Sequence, residues 1–254
     1  MKNLMLLLIA LAVDNATASV TKEEFAQTLE SIEKTYKPIF KKKFDANFVV
    51  ENYWDDATVN AHARRMGKSW FIAIFGGLGR NKLMTTDGLA LVACHEIGAH
   101  IGGFPKESEW ATKYMQSAYF TGLKCMRELW ENDDNIEKIS RMQIDPIVRK
   151  HCALSFDNDQ SRALCMRSVS AAFVLSHLLA QMNGQEAKII DPEVYQDDET
   201  KLPSYQCSFN TYFSGALCGV DHKVDVSQVD ARIGTCNKSD GHKIGYRPAC
   251  WYKE

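Results

Sequence analysis

Behind a Thr21/Glu24 pair with capping-box spacing, Phe25, Leu29, Ile32, Tyr36 and Phe40 recur every three or four residues. This pattern predicts an amphipathic helix over 21–40, with Pro38 expected to weaken its last turn. The period then shortens. NFVVENYW, ATVNAHARR and SWFIAIFGGLGR read as β-like runs, the last bounded by Gly76-Gly77, and predict a three-stranded sheet. Thr85, Thr86 and Asp87 offer an N-cap for a helix through LALVACHEIGAH that stops at Gly102-Gly103 ahead of Pro105. A second helix is expected over about 108–131, shorter helical pieces over 134–153, and a long helix over 158–183 whose VSAAFVLSHLLAQM is apolar nearly all round and therefore buried. From about Gly184 the periodicity lapses. Residues 190–254 are rich in Pro, Gly, Asp and Ser, carry four cysteines, and read as a disulfide-rich, loop-dominated C-terminal extension. The fold class is α+β, a small β-sheet with helices.

Composition adds a compartment. Lys2, the apolar LMLLLIALAV and Ala16-Thr17-Ala18 have the three parts of a secretory signal peptide over 1–18, and the apolar run is too short to span a bilayer. The expected organisation is signal peptide 1–18, main domain 19–189 and extension 190–254, exported to a periplasm or the extracellular space, with no membrane span. Eight cysteines in an exported chain point to as many as four disulfides. Their pairing is open, and Cys94 on an apolar helix face could also be a free core thiol. A net charge of −2, mixed in sign along the chain, argues against nucleic acid or anionic lipid as partner. The Lys41-Lys42-Lys43 run reads as a solvated helix end.

The chemistry concentrates in LVACHEIGAHIGG. A His-Glu-x-x-His helix aims two imidazoles at one zinc ion, but here His100 follows His95 by five residues. Positions four apart on a helix differ by about 40°, and positions five apart by about 140°. Both imidazoles reach one ion only if the helix is unwound or bulged, a distortion that Gly98 would ease.

VACHEIGAHIGG, followed by MQSAYFTGLKC, YFSGALC and a closing PACWYKE, resembles a group of exported bacterial zinc metallopeptidases of the gluzincin kind, whose helix reads His-Glu-x-Gly-His-His-x-Gly-Gly. The resemblance covers most of the mature chain, GGLGR included, and implies a zincin-like fold with the sheet packed on an active-site helix. It implies that His95 stands at the first zinc-ligand position and Glu96 at the general base that activates metal-bound water. It also implies that the second ligand position is Ala99, the third is Tyr114, and the aspartate that would orient a ligand is Ala118. His100 matches only the histidine after the second ligand, while Gln116, Tyr119 and Phe120 are retained. With these ligand positions degenerate, the chain reads as a pseudo-peptidase.

The competing expectation is a working zinc peptidase. Dipeptidyl peptidase III is built on His-Glu-x-x-x-His, and at that spacing His95 and His100 would be ligands and Glu96 the base. Zinc is then the cofactor; otherwise there is none. For the inactive scaffold the expected partner is a peptide or protein held by strand addition in the former substrate groove near Gly76 and Gly77, or an active relative that it regulates. His62, His151, His177, His222 and His242 read as ordinary histidines, and no Gly-x-Ser-x-Gly elbow supports a serine nucleophile.

Overall fold

The computed structural model describes residues 19–191 and 204–254; the segment 1–18, expected to be a signal peptide, lies outside them. Helix α1 (Lys22–Phe44) starts at the expected capping box, in which Thr21 Oγ1 accepts from the Glu24 N–H and Glu24 from the Thr21 N–H. Phe25, Leu29, Ile32, Tyr36 and Phe40 are all buried. The helix continues for six residues beyond Pro38 and ends where Asp45 turns left-handed at φ 49°. The three lysines of its last turn complement the negative end of the helix dipole.

The predicted strands form one sheet of β1 (Asn47–Tyr53), β2 (Ala61–Met66) and β3 (Ser69–Phe75) in the order β1-β3-β2. β1 runs parallel to the central β3, and β2 antiparallel to it. GGLG does not extend β3. It forms a short helical turn, α2 (Gly76–Gly79).

Helix α3 (Thr86–Ile101) is buried nearly all round. It packs against α1, β2 and β3, against α4 (Tyr114–Phe120), and against α8 (Asp159–Met182). The Thr85 hydroxyl caps it by accepting from the Gly88 N–H. In its first turn, Asp87 takes two hydrogen bonds of 2.8 Å from Arg167 of α8.

The helix expected over 108–131 begins later, at Tyr114, and is not uniform. α4 passes into a π-helical turn (Thr121–Cys125) and then α5 (Met126–Trp130). Two short helices, α6 (Asn135–Ser140) and α7 (Pro146–Ser155), lead to α8. Among the described residues, α8 alone is long and apolar enough to cross a membrane, and 67% of that stretch is buried inside the fold.

The segment 190–254 is not loops throughout. It contains helix α9 (Ser204–Leu217), whose Phe209, Tyr212 and Phe213 belong to the same core as α3 and α8. The loops beyond α9 are tied to α4: Tyr119 donates to the Gly245 carbonyl at 2.6 Å and accepts from the Cys236 N–H. All eight cysteines are paired, as Cys94–Cys125, Cys152–Cys165, Cys207–Cys250 and Cys218–Cys236. This agrees with an oxidising compartment.

Candidate functional site

α3 is α-helical along its length, so His95 and His100 face different surroundings. Gly98 serves packing rather than a bulge: a Cβ there would lie 2.9 Å from the Ser117 carbonyl oxygen of α4. The His100 ring is stacked between Trp70 and Trp110, its centroid 5.4 Å from each, with Phe40 at its edge. Its Nε2–H donates to the Phe71 carbonyl at 2.9 Å, and its Nδ1 accepts from Arg65 Nε at 3.3 Å. Arg65 also donates to the His100 carbonyl at 2.8 Å. Both ring nitrogens are thus spent, and burial lowers the pKa to about 4, which keeps the ring neutral. His100 is a core residue of the α1–sheet interface. It does not join His95 at a metal.

His95 is buried on the other side of the helix. Its Nδ1 lies 2.7 Å from the Tyr212 hydroxyl of α9, and its ring sits 4.4 Å from that of Tyr114. Burial lowers its pKa to about 4. Ser208, also on α9, places a buried hydroxyl beside both phenols without a hydrogen bond of ordinary geometry.

Glu96 points toward β2. Burial raises its carboxyl to about 7, against the opposing pull of a hydrogen bond from the Ala63 N–H. His95, Glu96, Tyr114 and Tyr212 line a cleft of about 170 Å³, whose wall also includes Leu175, Leu178 and Leu179 of α8 and Asn60 and Ala61 at the start of β2. The result is a neutral imidazole, a carboxyl poised near neutrality and two phenols against an apolar wall.

Among the described residues, β2, the strand beside this cleft, is an edge strand. The Phe75 N–H donates to the Asn60 carbonyl, which marks 60/75 as a hydrogen-bonded pair of the β2–β3 ladder. Antiparallel pairs alternate, so Ala61, Ala63 and Arg65 turn their backbone groups outward. The Ala63 N–H is the one of these that counters the rise in the Glu96 pKa.

Gly76 and Gly77, expected to line the groove, are closed instead, because β3 is the central strand. A Cβ at Gly76 would lie 1.7 Å from the Trp54 carbonyl oxygen, and one at Gly77 2.0 Å from that of Ala57. The two glycines let the 54–58 loop fold tightly over α2.

The donor set does not fit zinc. Catalytic zinc needs three protein ligands and an open position. Here His95 is the one imidazole of the cleft, Ala99 and the fully buried Ala118 offer no donor, Tyr114 presents a phenol where a carboxylate is needed, and His100 is spent elsewhere.

Sequence reasoning missed Tyr212. Its signal was the spacing of Phe209, Tyr212, Phe213, Ala216 and Leu217, which is helical, inside a segment whose composition suggested loops. Of the other histidines, His62 packs on Phe75, His177 stacks on Phe173, His151 bonds Asp191, and His242 bonds the 237 backbone. His222 meets two glutamates of the α5 segment. No protein-family model, curated protein or solved structure matches the chain.

Proposed function

We propose that this is an exported pseudo-peptidase of zincin-like form, which binds an extended peptide or protein segment along the outer edge of β2 and does not cleave it. The observation that carries this reading is the outward-facing backbone of Ala61, on an edge strand and in the wall of the cleft that holds His95 and Glu96. A segment pairing with that edge would place a side chain against Leu175 and Leu178, beside a carboxyl that burial holds partly protonated. Hydrolysis by a zinc-activated water has no support in the donor set. The Tyr212–His95 hydrogen bond instead draws the imidazole into the core.

The test is an array of extended peptides probed with the oxidised mature protein, followed by mass spectrometry for cleavage with and without added zinc. Peptides are expected to be bound and left intact. Ala61→Pro removes only an outward N–H, which an edge strand tolerates, and should weaken binding at least tenfold with an unchanged circular dichroism spectrum. Zinc-dependent cleavage that Glu96→Gln abolishes would replace this reading with a working peptidase. Absence of any bound peptide would remove it.

A further inference from the structure

We propose that Glu128, Glu131 and His222 form a zinc-type divalent-metal site separate from the His95/Glu96 cleft. Glu128 lies on α5 and Glu131 is its C-cap, so the two carboxylates are three residues apart on one helix face. His222 comes from the loop after α9. Its Nε2 is 2.8 Å from Glu131 Oε2 and 4.0 Å from Glu128 Oε2. One donor atom from each of the three side chains falls within 4.8 Å of the others.

Two carboxylate oxygens and one imidazole nitrogen are three ligands of the kinds zinc takes, whereas magnesium and calcium favour oxygen alone. The other ring nitrogen, Nδ1, faces the Asp221 carboxylate at 3.5 Å, which places a further negative charge beside the imidazole. His222 also lines two cavities of about 300 Å³ each, one shared with Glu128 and the other with Glu131, so a fourth position has room for water or a small ligand.

The loop that carries His222 is held in place independently of the three ligands. Lys124 donates to the Asp221 carbonyl at 2.7 Å, and Arg127 donates to the carbonyls of Ala216, Cys218 and Val220. The Cys218–Cys236 disulfide closes the same segment. The imidazole therefore meets the glutamates without the loop having to be ordered by the ion.

A cation already sits at this point. Lys223 places its ammonium 2.9 Å from Glu128 Oε2 and 2.9 Å from Glu131 Oε2. Its side chain is half exposed, so it can swing into solvent as a metal enters. The lysine is thus a built-in competitor, which gives the site a signature that an ordinary surface ion pair lacks.

The experiment is titration of the oxidised, tag-free protein with zinc at pH 7.5, followed by calorimetry, with thermal unfolding of every variant as a check on folding. One zinc per chain is expected in the wild type. His222→Ala should weaken binding at least a hundredfold, Lys223→Ala should tighten it about tenfold, and His95→Ala should leave it unchanged. The proposal is overturned if neither the wild type nor Lys223→Ala binds zinc at micromolar concentration, if binding survives His222→Ala, or if it is lost with His95→Ala. The last outcome would speak for the cleft as a metal site.

Discussion

Glu96 and the two histidines of α3 answer to burial in opposite ways. The Glu96 pKa rises from 4.5 to about 7, so the folded state keeps its proton longer than the unfolded chain. Its contribution to stability is whole below pH 4.5, falls as pH climbs toward 7 and is level above that, a total of about 3 kcal/mol at most. His95 and His100 drop from 6.5 to about 4, so their contribution is present above 6.5 and declines as acid protonates the unfolded chain first. The opposing slopes overlap and mask each other in the wild type. Glu96→Gln removes only the carboxyl's part. Urea unfolding should therefore show the variant close to wild type at pH 5 and more stable at pH 8, by up to about 3 kcal/mol. An offset that does not change between the two pH values would mean that the carboxyl is not desolvated.

At the scale of elements, the site depends on how closely α9 approaches the helix that runs from α4 through the π turn. A Cβ on Gly122 would lie 2.3 Å from the Tyr212 carbonyl oxygen, and one on Gly215 2.3 Å from that of Tyr119. Each glycine presses on backbone that cannot move aside, and one of those carbonyls belongs to the residue that bonds His95. Gly122→Ala should push α9 outward, cost about 1–3 kcal/mol in urea unfolding, and weaken the near-ultraviolet signal of the aromatic residues around Tyr212. The elements that were legible in the sequence share a cause. α1 repeats its apolar positions at one helical period, the strands are short runs rich in β-branched and aromatic residues, α3 and α8 carry long apolar stretches, and the caps of these helices lie in the local sequence. The π turn was not legible, because nothing in TGLKC marks it; it holds both Gly122, which meets α9 at close range, and Cys125, which is bridged to α3. His95 and Glu96 stood out by motif, whereas the separation of His100 from them follows from a regular helix. The meeting of Glu128 and Glu131 with His222 depends on a fold-level contact across 91 residues of chain.

For the molecule as a whole, α9 and the loops after it belong to one framework with the residues before them. Phe209 and Phe213 enter the common core, and Arg247 reaches both Gln116 of α4 and the Asn237 side chain. The order in which the bridges connect along the chain also bears on how the protein is made. Cys94–Cys125 and Cys152–Cys165 each join neighbours in the cysteine series, but Cys207–Cys250 encloses Cys218–Cys236. An oxidant acting on a chain as it emerges from a translocation channel pairs thiols in order of arrival. That rule makes the first two bridges correctly and then joins Cys207 to Cys218 and Cys236 to Cys250. Thiol–disulfide exchange must undo the second pair. Cells that export the protein should therefore need a disulfide isomerase for its last 50 residues and only an oxidase for the rest. Peptide mapping of protein produced without the isomerase should find the early bridges intact and the late four cysteines shuffled.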